Sequence, residues 1–518
     1  MCGSGYLQVN SVFAIFDSVK RFWIILLCAL SLGACNKPQD GDGTDPGEET
    51  LTTWRYANVF ARNAMNLYYL WQKEIESGID AWKETEDPIA KVREIRYKDA
   101  AGKDIDRWTM MTDDYTGFFN SVSGNAKTSG FDYLFYYADK DRTSLVAVVT
   151  YTYKDSPARA AGLKRGDVIF KVNGESIPYP GYESAYAALT GGDPLSLELM
   201  DGRKLTLTPR EMYEDPVHLA KVFDCGGIRV GYLHFTSFTL DACEDLVDVC
   251  KDFKDQGVSR LILDLRYNGG GFSVTEEVLA SMLAPEADVA AGNILATEVF
   301  NDKLTAYYAE KKYDTNTYFR TDFLFSSGNR KYEFSTAGAN LGIDRLYAII
   351  SSGSASASEA LLCDLFPYLD ITLVGAQSHG KYCSGLIMDA EGFYDDYADQ
   401  LGEEIADNGK KYAANWGLYV MYSRFADKNG ETRCMPDGLA PDVEVADDPL
   451  DGRDLGDPEE TMLASVLKLC GYKDAVPSAR QAPSRLPAFE PAPVNVRALR
   501  PEFGHRIILP SRPVPLTF

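Results

Sequence analysis

The chain reads as an α/β protein, and two observations carry that reading. Apolar runs of strand length at 229–238, 260–265, 346–350 and 371–374 alternate with stretches whose apolar residues recur at helical spacing, at 244–256, 274–282 and 360–366. Strands and helices that alternate in this way fold as a sheet with helices packed on its faces. The second observation is compositional. At 518 residues, 45% hydrophobic and 25% charged, the chain is long enough for several domains and ordinary for a globular protein.

From the amino terminus, Lys20-Arg21 precede an apolar stretch from Phe22 to Ala34. That stretch is too short to span a bilayer and has the character of a secretory signal. It ends Leu32-Gly33-Ala34-Cys35, which resembles a bacterial lipobox. Residues 1–35 are therefore expected to be a lipoprotein signal peptide. Cleavage before Cys35 would leave a cysteine to be acylated, placing the protein in the bacterial cell envelope with a lipid anchor as its one membrane contact. Residues 36–52, rich in Asp, Gly, Pro and Glu, predict a flexible linker. Residues 53–128 predict a small helical domain that starts amphipathically with Trp54, Tyr56, Val59 and Phe60.

Residues 129–212 open with the alternating strand pattern Leu145 to Val149. Ser156-Pro157-Ala158, Ala161-Gly162-Leu163, Gly166-Asp167-Val168-Ile169 and Val172-Asn173-Gly174 follow, and together they resemble a bacterial PDZ domain. Such domains add a peptide strand to a sheet edge and hold its terminal carboxylate with loop amides. Gly130 and Phe131 are the candidate substrate-binding loop, and polypeptides with exposed apolar C-termini the implied partners.

Residues 213–472 carry the chemistry. In Ser354-Ala355-Ser356-Ala357-Ser358-Glu359 a strand gives way to a helix, so Ser356 is held where the free amides of a first helical turn face whatever it attacks. A serine hydroxyl needs a neighbouring base. Lys381, after Gly380, can serve as one if burial lowers its pKa. The plainer reading of Ser356 and Glu359 is a helix capping box. Leu261 to Leu265 is an apolar run that leads to Asn268-Gly269-Gly270-Gly271, where glycines let backbone amides approach a reacting carbonyl. The Gly-Lys-Ser/Thr ending of a phosphate loop is missing there, which speaks against a nucleotide site.

Asp264-Leu265-Arg266-x-Asn268-Gly269-Gly270-Gly271, the serine run and Gly380-Lys381 resemble the signature blocks of the C-terminal processing peptidases, or tail-specific proteases. Gly231-Tyr232-Leu233-x-x-x-Ser237-Phe238 and Gly438-Leu439-x-Pro441-Asp442-Val443 resemble two further blocks in the same order. The resemblance covers roughly 53–470. It implies a crotonase-like layered protease core preceded by the PDZ and helical domains. It also implies Ser356 as nucleophile and Lys381 as general base, with oxyanion donors at Ala357 and at Gly270 or Gly271. Hydrolysis of this kind needs no cofactor and no metal. One position departs from the family pattern. The glutamine found four residues after the lysine in many members is Gly385 here, while Gln377 lies four before it and His379 stands nearby. A catalytically silent peptide-binding PDZ lipoprotein is the alternative this departure supports.

A net charge of −24 argues against nucleic acid and anionic surfaces as partners. The acidic residues between Asp389 and Asp407 predict a solvated insertion. The seven cysteines from Cys225 to Cys470 show no disulfide framework, and the scattered histidines no metal site. Residues 473–518, rich in Pro and Arg, predict an extended, poorly folded tail. Its ending, Pro515-Leu516-Thr517-Phe518, suits the chain's own PDZ groove, from which it would restrain activity. The sequence leaves the oligomeric state open.

Overall fold

A central parallel block forms because its strands are apolar on both faces, as strands covered by helices on either side must be. The computed structural model describes residues 46–473, 490–500, 503–509 and 513–516; Cys35 and the signal segment lie outside these. The six-stranded sheet runs in the order Val217–Asp224, Arg229–Phe235, Arg260–Asp264, Arg345–Ile350, Asp370–Gly375 and Val443–Glu444. Every pairing after the first is parallel. Helices Ala242–Asp255, Ser273–Leu283 and Ala357–Leu365 follow its strands.

A second sheet lies beyond the helix Ala357–Leu365. Its order is Gly270–Phe272, His505–Ile508, Cys383–Asp389, Gly417–Asp427, Ile294–Phe300 and Asn316–Tyr318, with Met110–Thr112 paired to Gly417–Asp427. Side chains from both sheets and the helices between them join one hydrophobic core. Residues 131–207 form a separate antiparallel sheet with its own core. Its short helix Pro157–Ala160 is capped by Ser156 and begins with proline, the arrangement read from the sequence.

The amino-terminal region is helical over Glu48–Tyr68, Glu76–Asp80, Pro88–Ile95 and Tyr115–Val122. Asp87 caps the third of these by accepting from Ile89 and Ala90, with Pro88 at the first helical position.

The acidic segment is a folded insertion, with helices Ala390–Asp396, Ala398–Leu401 and Glu403–Ala413. Its acids face solvent, but Phe393, Tyr394 and Tyr397 are buried under the first helix, where Tyr394 donates to the Tyr56 carbonyl at 2.7 Å. The tail is also ordered wherever it is described. Glu490–Pro491 pairs with Phe131–Tyr137 at the edge of the sheet of residues 131–207, and His505–Ile508 is an inner strand of the second sheet. The β-forming run from His505 to Leu509 overrides the proline content around it. Leu516 takes a different place from the one suggested for it. Its amide donates to Gln400 on the helices that follow Asp389, and it is residues 490–492 that lie against the sheet of residues 131–207. Thr517 and Phe518 lie outside the described residues.

Candidate active site

Strand Arg345–Ile350 ends in a tight turn, and Ser356 sits at its exit as the N-cap of helix Ala357–Leu365. Its backbone is held at φ 61° and ψ −110°, a region that non-glycine residues rarely occupy. Such strain persists only where the surroundings over-determine it, and here they do. The Glu359 carboxylate accepts the Ser356 N–H at 2.9 Å, the Lys381 N–H at 2.8 Å, the Gly380 N–H at 2.7 Å and the Ser378 hydroxyl at 2.5 Å. Glu359 does more than cap a helix, because one carboxylate ties the serine turn to the lysine loop. Burial raises its carboxyl to about 7, against the pull of these donors.

Lys381 enters from the start of the strand Cys383–Asp389 and points at the serine. Its Nζ lies 3.2 Å from Ser356 Oγ, 2.5 Å from the Cys383 carbonyl and 3.3 Å from the Tyr419 hydroxyl. Both Ser356 and Lys381 are 0% exposed. Burial lowers the Lys381 pKa to about 8, because no carboxylate meets the ammonium. The Nζ neighbours are one carbonyl and two hydroxyls. A neutral amine has two N–H groups and one lone pair, so donating to Cys383 and Tyr419 leaves the lone pair for the Ser356 hydroxyl.

Tyr419 is the residue that sequence reasoning missed. It pairs with Ile387 across the neighbouring strand, which puts its ring on the same face as Gly385. A Cβ on Gly385 would lie 2.4 Å from the Tyr419 ring and 2.8 Å from its hydroxyl oxygen. The position that holds glutamine in the family pattern is therefore filled from across the sheet. Gln377 is exposed and donates instead to the Asp437 carbonyl at 2.6 Å. His379 packs edge-on against Phe503, with ring centres 5.0 Å apart, and burial lowers its pKa to about 4.

The glycine run borders the same spot. Gly270 has φ +110°, and a Cβ there would meet the His505 carbonyl oxygen at 2.3 Å and Ser356 Cβ at 3.0 Å. Phe238 clamps the run: its N–H donates to the Gly270 carbonyl at 2.8 Å and its carbonyl accepts from Phe272 at 2.7 Å. The Gly270 N–H is taken by Asn268 Oδ1 at 2.9 Å. Gly271 has φ +143° and is the next amide along, while Ala357 heads the helix directly after Ser356. At the sheet of residues 131–207, Gly130 makes a positive-φ turn whose N–H goes to Thr128 Oγ1 at 3.0 Å, and Phe131 starts the strand that the tail extends.

The profile of peptidase family S41 matches residues 229–445, and that of a PDZ domain matches 148–199. A carboxyl-terminal-processing protease of Picosynechococcus sp. is 26% identical over 232 residues, covering 44% of this chain and 48% of that protein. The carboxy-terminal processing protease CtpB of Bacillus subtilis is 27% identical over 241 residues, covering 45% of this chain and 44% of that protein. The matched stretch thus spans less than half the length of these relatives. Among solved structures, an S41 protease from Bacteroides fragilis aligns with a TM-score of 0.58 at 21% identity, covering 79% of this chain and 96% of that one, which shows a shared fold.

Proposed function

We propose that the chain, whose residues 229–445 match the profile of peptidase family S41 and whose residues 148–199 match that of a PDZ domain, is a C-terminal processing serine endopeptidase working through a Ser356–Lys381 dyad. The observation that carries this reading is the buried, carboxylate-free contact of 3.2 Å between Lys381 Nζ and Ser356 Oγ. With a pKa of about 8, about a tenth of the lysines are neutral at pH 7 and able to accept a proton.

Ser356 Oγ attacks the peptide carbonyl as its proton passes to Lys381 Nζ. The tetrahedral oxyanion is held by the amides of Ala357 and Gly271, since the Gly270 N–H is taken by Asn268. The C–N bond breaks as Lys381 returns the proton to the leaving amine, leaving an acyl-serine. Lys381 then takes a proton from water, the hydroxide attacks the ester, and Ser356 regains its hydrogen as the acid product departs. Tyr419 and the Cys383 carbonyl keep the amine aimed throughout.

The PDZ domain, with the Gly130–Phe131 turn, would present apolar C-terminal tails of unfolded polypeptides to this dyad. Acylation at Cys35 would hold the enzyme in the bacterial envelope, with no cofactor required.

The test is digestion of an unstructured protein with an apolar C-terminus by the chain and by Ser356→Ala. We expect cleavage by the first, and a loss of at least about a thousandfold in the second. Equal rates, or no cleavage by either, would return the weight to a peptide-binding protein.

A further inference from the structure

The tail traces a path across the molecule that ends beside the nucleophile. Ala492 donates to the Phe135 carbonyl at the PDZ sheet edge, and Arg500 pairs with Asp132 at 2.7 Å. The Gly504 N–H then donates to the Gly269 carbonyl at 2.8 Å. Strand His505–Ile508 lies between the glycine run and the lysine strand, parallel to both. Without it these two strands would border an open gap. The His505 carbonyl and Ser356 Cβ crowd the same point above Gly270, so a peptide carbonyl of the tail stands next to the nucleophile.

The following residue, Arg506, is 2% exposed. Its Nε donates to Glu276 at 2.6 Å, and its Nη1 to Ser384 at 2.6 Å and to Glu298. The well is acidic beyond the groups that Arg506 touches: buried Glu276 and buried Asp364 lie against each other and share a side-chain hydrogen bond, and burial together with the neighbouring Glu276 raises the Asp364 carboxyl. A cavity of about 820 Å³ also adjoins this well, lined by Glu298, Tyr307, Leu386, Ile508 and Val514 among others. The well therefore sets three carboxyl groups, Glu276, Glu298 and Asp364, around one guanidinium and has an opening.

We propose that the gap between Gly270–Phe272 and Cys383–Asp389 receives the substrate strand, that residues 503–509 are its resident occupant, and that Glu276, Glu298 and Ser384 select an arginine one residue beyond the carbonyl beside Ser356. Separate engagement of Nε and Nη1 suits a guanidinium fork better than the point charge of lysine. The catalytic half of this inference rests on the peptidase reading; the binding half does not.

The experiment uses the full chain carrying Ser356→Ala, so that no chemistry intervenes. Hydrogen exchange of amides 503–508 is followed with and without a synthetic peptide of residues 503–509, and with the same peptide bearing norleucine for its arginine. The arginine peptide is expected to speed exchange by about tenfold or more by displacing the tail, and the norleucine peptide by less than about twofold. Adding Glu298→Gln should erase the difference. If 503–508 exchange as slowly as Gly417–Asp427 and neither peptide alters them, the strand is a fixed part of the sheet and the proposal falls. If both peptides displace it equally, the channel stands and the arginine pocket is overturned. If selective displacement is seen but the chain with Ser356 intact cleaves no arginine-bearing peptide, the pocket is supported and only the peptidase reading fails.

Discussion

Arg266 and Lys381 are two cations in one domain, both 0% exposed, and they are treated in opposite ways. Arg266 meets Asp264 at 2.8 Å, Glu460 at 2.7 Å and Asp447 at 3.1 Å. Burial works against its charge, but the three carboxylates outweigh that effect and hold its pKa well above the ordinary value. Lys381 is offered a carbonyl and two hydroxyls instead, while the Glu359 carboxylate is turned to its backbone N–H. What separates the structural cation from the proposed base is whether carboxylates are allowed to reach it. The Arg266 cluster also reaches into the PDZ domain, because Arg165 pairs with Asp447 at 3.1 Å and with the Tyr267 hydroxyl at 2.9 Å, just ahead of the glycine run.

The largest effects should come from deleting each charge. Arg266→Met would strip buried Asp264 of its guanidinium, leave Arg165 alone to meet Asp447 and Glu460, and lower stability by about 3–5 kcal/mol. Lys381→Met would abolish cleavage yet leave thermal stability equal or higher, since a poorly compensated buried ammonium is removed. Thermal unfolding of both variants tests the contrast, and a Lys381→Met loss matching that of Arg266→Met would dissolve it.

Next in size is Tyr419→Phe. Losing one hydrogen bond to the lysine should lower kcat by about ten- to a hundredfold, with the fold intact. A kcat within a factor of two of the parent would show that Tyr419 merely fills the space above Gly385.

The pH dependence is smaller but sharper. kcat/KM should climb about tenfold per pH unit toward a plateau above about 8, as Lys381 loses its proton. A limb near 4 would instead identify His379 as the base. The stability sign is also set. The folded pKa of about 8 lies below the ordinary 10.5, so between those values the unfolded chain binds more protons. This group's contribution to stability therefore rises with pH across that window.

Much of this arrangement is legible locally. The strands around Leu261 to Asp264 and Leu346 to Ile350 announce themselves because a parallel strand covered on both faces has few polar positions to blur it. Ser356 and Lys381 stand out because small residues before a helix, and a lysine after glycine, are unusual company for core elements. Tyr419 could not be found that way. Its role follows from a cross-strand register, and the only trace of it in the sequence is the small residue at Gly385. Arg506 was hidden for a related reason. The prolines around it argued for an unfolded tail, and the short run from His505 to Leu509 acquires meaning only when two distant strands leave room for it.

The conformation of Ser356 carries a last consequence. A side chain at φ 61° and ψ −110° stores about 1–3 kcal/mol that glycine would release. Folding alone would therefore choose a different residue at this position. A lineage that stopped needing the hydroxyl would be drawn downhill toward Ser356→Gly, toward a sturdier and silent protein. Comparing the melting points of Ser356→Gly and Ser356→Ala would expose that pull, with the glycine variant the higher; an equal or lower value would mean that the turn holds its serine without strain.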